Sequence, residues 1–211
     1  MDSSAKITKI EVQKKKKTRR SIYLNDEFAF GLDAELVAHF GLKEGDELSQ
    51  EKINNLLLKE EKKRVKEKAY RYLAARAHSE KEIRIKLVQK GFSSAIVDEV
   101  ISELKEKSFV DDEAFALSFV RSRMVNKPAG EILLRRELWQ KGISEEIIQK
   151  ALQEAYSEKN QLEFAKELVD KRRSRYKNLE DSKRKKRLTD FLLRRGFEWE
   201  LVKEVIQETF E

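Results

Sequence analysis

Three stretches of this sequence match one another: LVQKGFSSAIVDEVISEL (residues 87–104), LWQKGISEEIIQKALQEA (138–155) and LLRRGFEWELVKEVIQET (192–209). Aligned on Gly91, Gly142 and Gly196, they repeat at intervals of 51 and 54 residues. Apolar residues then share columns four places before the glycine and one, five, six, nine and ten places after it. The last four offsets lie on one face of a helix. The chain therefore contains an internal repeat of helical units.

Capping residues indicate where the helices of these units end. Each of the three glycines is predicted to follow a helix in the left-handed conformation, which glycine adopts without a Cβ penalty. Ser79 and Glu82 have the spacing of a capping box, and Asp111 and Ser144 are predicted N-caps. Pro128 is predicted to lie in the first turn of a helix. Helices therefore precede and follow each glycine.

A further helix precedes each of these pairs. The apolar sets that mark it are Tyr70/Leu73/Ala77, Phe115/Phe119/Val120 and Phe164/Leu168/Val169. We therefore expect three-helix units at residues 62–108, 109–157 and 158–211, after an N-terminal segment at 1–61. The predicted fold class is mainly α, with three tandem three-helix repeats forming an elongated curved rod. A small β-rich N-terminal extension with one or two helices comes before them.

The extension is predicted from a different periodicity. Apolar residues alternate with polar ones around Ile10, Ile22 and Phe30, which indicates three short strands before about residue 33. Asn25-Asp26 suits a tight turn between the second and third strands, and Lys14–Arg20 is expected to form a longer connection between the first two. A helix from about Asp33 to Phe40 is expected to cover the sheet, and a second is expected to begin near Ser49.

Composition narrows the class of protein. Charged residues make up 40% of the 211 and apolar ones 39%, with 7 glycines and 1 proline, a balance typical of helices with charged outer faces. The chain has no cysteine, which excludes disulfides, thiolate metal sites and thiol nucleophiles. The opening MDSSAKITKIEV lacks the apolar core of a signal peptide, and no apolar run approaches the length of a membrane span. We expect a cytoplasmic protein that does not bind membranes.

A search for catalytic motifs gives no candidate. No phosphate-binding loop, dinucleotide-binding glycine pattern or H-E-x-x-H motif occurs, and GLKEGD at 41–46 is a turn. His39 and His78 stand apart from other ligand-type residues, which favours structural or solvent-exposed roles. Asp111-Asp112-Glu113 is expected to cap a helix rather than bind a metal. We therefore expect no enzyme activity, no cofactor, no metal and no small-molecule substrate.

Basic residues are clustered, and they supply the candidate binding residues. The net charge is +7, and residues 171–195 hold 12 basic residues against 3 acidic ones. Such clusters are typical of proteins whose partners are rich in phosphate or carboxylate. The candidates are Lys14, Lys15, Lys16, Lys17, Arg19, Arg20, Arg71, Arg76, Arg84, Lys171, Arg172, Arg173, Arg175, Lys183, Arg184, Lys185, Lys186 and Arg187.

Each basic run has an alternative interpretation as a solvated helix face, since the whole chain is highly charged. Three runs together, one of them interleaved with Tyr176, favour contact with nucleic acid or a nucleoprotein. The aromatic residues Trp139, Trp199, Phe92 and Phe197 recur at helical spacing, which predicts that they belong to the core.

Two segments resemble a known family. AYRYLAARAHSEKEIRIKLVQKGF (69–92) and SFVDDEAFALSFVRSRMVNKPAGEILLRRELWQKGI (108–143) are similar to the first and second repeats of the RecX family, regulators of the RecA recombinase. Within them, Ala69, Leu73, Arg76, Ser79, Glu80 and Glu82 form one specific pattern, and Phe109–Ala116 form another. The β-rich extension, ITKIEV…RRSIYLNDEFAFGL, resembles the form found in Gram-positive bacteria.

The resemblance implies a fold of three tandem three-helix repeats and a function without chemistry. It implies binding in the groove of the RecA–single-stranded-DNA filament, with lower recombinase and coprotease activity and a role in DNA repair and the SOS response. RecA and its filament are thus the expected partners, and the basic residues could also contact DNA directly. Two other functions stay open: a helix-turn-helix-like transcription regulator, and a helical-repeat scaffold that binds only protein.

Overall fold

The computed structural model describes residues 4–158 and 160–211 of the chain. Helices account for 65% of the residues, and the predicted fold class, mainly α with three-helix repeats behind a small β-rich extension, is confirmed. The described residues divide into two compact units. One consists of the residues through Ala75 together with Arg84–Leu104, and the other of Arg76–Ile83 together with the residues from Lys105 onward.

Four strands form an antiparallel sheet in the extension. They are β1 (Ala5–Gln13), β2 (Lys16–Leu24), β3 (Glu27–Asp33) and β4 (Glu47–Leu48), in the order β3-β2-β1-β4. Ile22 of the central strand β2 lies opposite Ile10 of β1 and Phe30 of β3. The turn at Asn25-Asp26 is present as predicted, and both residues have positive φ, as type I′ hairpin turns require.

The predicted long connection at Lys14–Arg20 is wrong. The link between β1 and β2 is the two-residue turn Lys14-Lys15, and the residues from Lys16 onward belong to β2. A run of polar residues shows no apolar alternation, so the first part of β2 leaves no signal in the sequence. It forms because β2 pairs with β1 from Lys16 and with β3 from Arg19 onward, so neighbouring strands supply partners for its backbone.

The expectation that β-structure ends before about residue 33 is also wrong. β4 pairs with the start of β1, through Ala5 opposite Leu48 and Lys6 opposite Glu47. Two residues are too few to show any periodicity, and they become a strand because the turn before them brings them beside β1. Among the described residues, no strand follows Leu48.

The core of the extension lies between the sheet and two helices. Ile7, Ile22, Leu32 and Leu48 are buried there together with Leu56. Other apolar residues of the strands face solvent: 49% of Val12 and 59% of Phe28 are exposed. The alternating pattern therefore identified the strands, while the position of the covering helices decided which apolar residues are buried.

Two helices complete the extension. α1 (Ala34–His39) starts at the predicted place, where the Asp33 carboxylate accepts a hydrogen bond of 2.9 Å from the Glu35 N–H. α2 (Gln50–Ala75) follows Ser49, whose hydroxyl accepts from the Lys52 N–H. This helix continues without a break through residues 61 and 62, where the sequence predicts the boundary between extension and first repeat.

Eight further helices and one 3₁₀ turn complete the three repeats in the described part of the chain. The first repeat continues from α2 into α3 (Glu80–Val88) and α4 (Ser94–Glu106). The second consists of α5 (Asp112–Asn126), α6 (Glu131–Gln140) and α7 (Glu145–Glu158). The third consists of α8 (Gln161–Arg173), a 3₁₀ turn (Ser174–Tyr176), α9 (Asp181–Arg194) and α10 (Trp199–Phe210).

Most of the predicted helix ends are confirmed. Gly91, Gly142 and Gly196 have φ of +83°, +84° and +82°, so all three are left-handed. The Asp111 carboxylate accepts from the Ala114 N–H at 2.9 Å, and the Ser144 hydroxyl accepts from the Ile147 N–H. 

Pro128 is an exception among the predicted caps, because α6 begins at Glu131 and Gly130 occupies the N-cap. Proline fixes its own φ and has no N–H, a property that also suits the connection that precedes a helix. The residue type therefore indicated a helix start nearby without giving its position.

The second and third repeats each have a core of their own. Phe115, Leu134, Leu138 and Ile148 are buried in the second, and Phe164, Leu188, Leu192 and Phe197 in the third. Prediction of the aromatic core holds for Phe197 and is wrong for both tryptophans, since 68% of Trp139 and 55% of Trp199 are exposed. Phe92 is half-buried. Trp139 follows the buried Leu138 directly, and successive residues of a helix point about 100° apart.

Consecutive repeats are joined at the ends of their middle helices. The Ser79 hydroxyl, at the start of α3, donates to the Lys141 carbonyl at the end of α6 (2.7 Å). In the same way the Gly130 N–H, at the start of α6, donates to the Arg195 carbonyl at the end of α9 (2.8 Å). In both cases a donor at one helix start, a hydroxyl in the first and a backbone N–H in the second, meets a carbonyl at the end of the next repeat's middle helix, where carbonyls lack partners within their own helix.

Candidate functional site

The second basic run of the third repeat lies on α9. The buried residues Leu188, Phe191 and Leu192 hold one face of this helix against the core of the repeat. The opposite face carries Lys183, Lys186, Arg187, Asp190 and Arg194, at spacings of three, four, seven and eleven residues. This is the spacing of a single stripe along a helix. α9 therefore presents a row of cations on its outer side.

This row lines an open cavity of about 360 Å³. Its walls are Lys183, Lys186, Arg187, Asp190 and Arg194 of α9, together with Tyr176 and Leu179 from the segment between α8 and α9. Four of the lining side chains are cationic and one is anionic, so the cavity is suited to an anion. Lys183 is 3.3 Å from the Glu180 carboxylate, but both side chains are largely exposed, and such a pair is weak.

The other two residues of the run Lys183–Arg187 do not line the cavity. The Arg184 guanidinium lies 5.3 Å from the ring centroid of Phe210, and the Lys185 ammonium lies 5.2 Å from it. Arg184 also forms an ion pair with Asp181, and its Nε is buried without a hydrogen-bond partner in the described part of the chain. The run is therefore divided between a cavity-facing set and a set that packs on α10.

In the first basic run of the third repeat, Arg172 is engaged within the protein and the other three cations are exposed. The Arg172 guanidinium stacks 4.3 Å from the ring centroid of Phe191, and its Nε donates to the Tyr176 hydroxyl at 3.2 Å. Lys171 and Arg173 face the carboxylates of Glu167 and Asp170 at 3.8 and 3.9 Å. Arg175 is exposed. Arg172 thus supports Tyr176 at the cavity wall, while Lys171, Arg173 and Arg175 do not line this cavity.

Arg194 and Arg195 are basic residues that the sequence analysis left out of the candidate set. Arg194 lines the cavity, and it lies seven residues after Arg187, so helical periodicity could have found it. Arg195 points elsewhere: its Nη1 donates to the Pro128 carbonyl at 2.7 Å, and its guanidinium stacks on Phe191. Burial, with the nearby charges of Arg172 and Arg123, lowers the pKa of Arg195 below its ordinary value.

The N-terminal basic run is divided in a similar way. Lys14 and Lys15 form the exposed β1–β2 turn, and Lys16 and Lys17 are exposed on β2. Arg20 donates to the Lys17 carbonyl at 2.9 Å. 

Arg19, which follows on the same strand, serves the fold. Its guanidinium pairs with the buried carboxylate of Glu60 on α2 and donates to the Gly31 carbonyl at 3.0 Å. The structure therefore leaves Lys14–Lys17 as the exposed part of this run.

The three candidates in the first repeat each have a carboxylate partner. Arg71 lies 3.7 Å from Glu67, Arg76 lies 2.9 Å from Glu82, and Arg84 pairs with Asp98. Intramolecular partners reduce the charge that these residues present to a ligand. The cavity on α9, by contrast, brings exposed candidate residues together at one site.

Nearly the whole chain is similar to known proteins. Family models match four successive segments: the Regulatory protein RecX N-terminal domain at residues 5–49, and the first, second and third three-helix domains of RecX at 66–104, 111–152 and 160–206. The chain is also 34% identical to "Regulatory protein RecX" of Clostridium botulinum (strain Eklund 17B / Type B) over 206 residues, covering 97% of this chain and 96% of the relative. The chain belongs to the RecX family.

Other RecX proteins extend the comparison. "Regulatory protein RecX" of Clostridium acetobutylicum is 33% identical over 207 residues, 97% of this chain and 96% of that one. A crystal structure of regulatory protein RecX superposes with a TM-score of 0.73 at 31% identity, over 97% of this chain and 99% of the other. RecX from Lactobacillus salivarius gives 0.63 at 26% identity, over 70% and 96%. The resemblance seen in the sequence is therefore confirmed.

The residues that carried the RecX resemblance have structural roles. Ser79 caps α3 by accepting from the Glu82 N–H at 3.2 Å, and the Asp112 carboxylate accepts from the Glu80 N–H at 2.9 Å. The predicted reciprocal contact of the capping box is replaced: the Glu82 carboxylate binds Arg76 at 2.9 Å and Lys141 at 2.6 Å. These residues therefore hold consecutive repeats together.

Two carboxyl groups where the first and second RecX repeats meet have shifted pKa values. Burial alone would raise the pKa of Glu82, but hydrogen bonds from Arg76 and Lys141 outweigh it and lower that pKa to about 2. Burial raises the pKa of Asp112, with the nearby Glu80 carboxylate acting in the same direction. Perturbed carboxylates can mark functional sites, but both of these are explained by their structural partners.

The described residues offer neither a metal-binding cluster nor a membrane-spanning helix. Within 4–158 and 160–211, no group of three or more His, Cys, Asp or Glu residues could hold a metal ion. His78 is buried, with Nδ1 2.9 Å from the Arg76 carbonyl, and His39 packs edge-on against Phe40. No helix in the described part of the chain is long and apolar enough to cross a membrane.

Proposed function

We propose that this RecX-family protein regulates a RecA recombinase by binding the RecA–single-stranded-DNA filament, without catalysing a reaction. The observation that carries the proposal is the cationic row of α9, where four exposed basic side chains line one cavity. An exposed row of this kind attracts phosphate groups through Coulomb interactions and counterion release. Membership of a family of regulatory proteins supports the choice of partner.

Repetition of the three-helix unit also suits a filament. Repeated units offer similar surfaces at regular intervals along a chain, and a filament offers similar sites at regular intervals along its length. We propose that the extension at 1–61 and the repeats at 62–108, 109–157 and 158–211 act as successive contact modules. Lys14–Lys17 would supply a second basic contact, because these side chains are exposed on the β1–β2 hairpin.

The direct test is the ATP hydrolysis that RecA performs on single-stranded DNA. Purified protein is expected to reduce this rate in proportion to its binding to the filament, measured in parallel by co-sedimentation. A cavity variant, Lys183→Gln/Lys186→Gln/Arg187→Gln, is expected to require a higher concentration for the same inhibition. Unchanged hydrolysis at saturating protein, with no co-sedimentation, would reject RecA as the partner.

The two alternative functions predict different binding results for the same purified protein. A transcription regulator of the helix-turn-helix type would prefer one duplex sequence over random duplex by orders of magnitude. A scaffold that binds only protein would bind RecA without DNA as tightly as it binds the filament, and salt would affect that binding weakly. The proposed function expects neither result.

A further inference from the structure

The cavity on α9 contains more than positive charge. Beside its four cations it holds the ring of Tyr176 and the side chain of Leu179, which supply an apolar wall. A volume of about 360 Å³ is within the range of protein sites that hold small molecules or parts of larger ones. A site that attracts only carboxylates or phosphates gains nothing from an aromatic wall. The combination points to a ligand with both an anion and a flat apolar group.

Tyr176 is held in a fixed position. Its hydroxyl accepts a hydrogen bond of 3.2 Å from the Arg172 Nε, and the same guanidinium stacks 4.3 Å from the ring centroid of Phe191 in the core. The 3₁₀ turn Ser174–Tyr176 fixes the backbone at this point. The ring is half-buried and lines the cavity, so a flat group could stack on it without first having to order the side chain.

Asp190 is the one carboxylate in the wall. It lies between the cations of α9, seven residues after Lys183 and four before Arg194, and it repels a ligand that carries only negative charge. The amino and imino groups of nucleobases, in contrast, are hydrogen-bond donors that a carboxylate can accept. Asp190 therefore weighs against an acidic protein surface and in favour of a base beside a phosphate.

We infer that this cavity is a binding site for a single strand, with the base of one nucleotide on Tyr176 and the phosphates of that nucleotide and its neighbours on Lys183, Lys186, Arg187 and Arg194. A duplex does not fit this requirement, because its bases are stacked inside the helix and cannot reach a recessed ring. The inference rests on the proposed function in that it specifies the nucleic-acid contact, but it can be tested without RecA.

The experiment measures binding of two labelled oligonucleotides, (dT)₁₂ and a 12-mer of the same backbone without bases, by fluorescence anisotropy over a salt series. The parent is expected to bind (dT)₁₂ about tenfold more tightly, because stacking of one base on an aromatic side chain contributes roughly this factor. Tyr176→Leu removes the ring and is expected to abolish the difference. Tyr176→Phe keeps the ring and is expected to retain it.

The charged wall is tested by Lys183→Gln/Lys186→Gln/Arg187→Gln. Its salt slope, d log K/d log[salt], is expected to be smaller in magnitude by about 2, since each phosphate contact on a single strand contributes about 0.7. The control, Lys127→Gln/Lys177→Gln/Lys203→Gln, removes the same charge from exposed lysines that do not line the cavity, and it is expected to keep the parent slope. Glutamine is a good helix former, so circular dichroism should show unchanged helix content in both.

Three results would overturn the inference. Equal slopes for the cavity variant and the parent would place the phosphate contacts elsewhere. Equal affinity of the parent for both oligonucleotides would leave an anion site in which no base stacks. A cavity variant that loses filament binding but binds (dT)₁₂ like the parent would assign the cavity to a protein surface. If the parent binds (dT)₁₂ through the cavity but leaves RecA unaffected, only the proposed function fails.

Discussion

Gly91, Gly142 and Gly196 share one backbone conformation but differ in what surrounds them. A Cβ added to Gly91 would meet nothing within 4 Å, one on Gly142 would lie 2.6 Å from the Lys81 Cβ, and one on Gly196 would lie 2.4 Å from the Leu133 backbone nitrogen. The second and third glycines therefore serve two purposes: they end a helix, and they allow the start of another repeat's middle helix to approach closely.

This difference predicts a graded effect of alanine. Gly91→Ala should lower the free energy of unfolding by about 1 kcal/mol, the cost of left-handed backbone for a residue with a Cβ. Gly142→Ala and Gly196→Ala should cost about 1–3 kcal/mol more, because helix backbone must move. Thermal unfolding followed by circular dichroism measures all three, and Gly91→Ala is the matched control. Equal losses in the three variants would show that the close approach has no energetic consequence.

The ion pairs of Glu82 predict that the free energy of unfolding depends on pH. Its pKa is lowered to about 2 in the folded protein from an ordinary value near 4.5, so the unfolded chain binds its proton first as the pH falls. The stabilisation is therefore complete above about pH 4.5 and is lost as the pH falls through 2. Glu82→Gln should lower the free energy of unfolding by about 1–2 kcal/mol at pH 7, after solvent screening, and by less at pH 3.

Urea unfolding at pH 7 and pH 3 measures this difference. Glu67→Gln is the control, since it removes an exposed partner of Arg71 on the surface of α2 and should change stability by less than about 0.5 kcal/mol. A Glu82→Gln variant whose deficit grows as the pH falls would contradict the assigned ion pairs, because the sign of the pH dependence would be reversed.

At the scale of elements, the link between β2 and α2 decides how the extension is fixed. The buried Glu60 carboxylate on α2 pairs with Arg19 of β2 and accepts a hydrogen bond of 2.7 Å from the Asp33 N–H. One side chain thus connects the central strand, the last residue of β3 and the long helix. Breaking a buried pair leaves an uncompensated charge, which costs more than the pair itself contributes.

Glu60→Ala should therefore lower the free energy of unfolding by about 3 kcal/mol. Lys17→Gln, an exposed cation two residues before Arg19 on the same strand, should have no measurable effect. Chemical denaturation, with amide hydrogen exchange of β2 and β3, distinguishes loss of the sheet from loss of the whole fold. Wild-type stability in Glu60→Ala would mean that the Arg19–Glu60 pair does not stabilise the fold.

Helix α9 shows how one element separates charges that are adjacent in sequence. Its buried stripe holds Leu188, Phe191 and Leu192, and residues three or four apart share a side of the helix, whereas residues two apart point in different directions. Lys183, Lys186 and Arg187 consequently line the cavity, while Arg184 and Lys185 pack over Phe210. A basic run of five is thus two groups of side chains with different surroundings.

For the whole molecule, the proposed function predicts a strong dependence on salt. If the four cations of the cavity each contact one phosphate of a single strand, the slope of log K against log[salt] should be about −3. Affinity for an oligonucleotide should then fall about 50-fold between 50 and 200 mM salt. A titration in potassium chloride measures this, and uncharged polymer of the same length is the control. A slope near zero would mean that binding does not depend on phosphate contacts.

The amino-acid sequence by itself determined the repeat, the helices and their ends. Capping and left-handed glycine depend on residues within one turn of each other, so Gly91, Asp111 and Ser144 could be interpreted from their neighbours alone. The family could also be recognised, because Ser79, Glu82 and Asp111 sit at fixed spacings in the chain. Local chemistry and spacing are properties of the sequence before it folds.

Only the tertiary structure decided which residues share a surface. Strand β4 exists because Leu48 is brought beside Ala5, and Arg19 is withdrawn from the basic run because Glu60, 41 residues later, lies next to it. The cavity needs Tyr176 and Arg194 on the same side of α9, and Trp139 is exposed because nothing in the described chain covers its face of α6. Burial, ion pairing and cavity formation depend on residues that are distant in sequence, and their partners are fixed only when the elements pack.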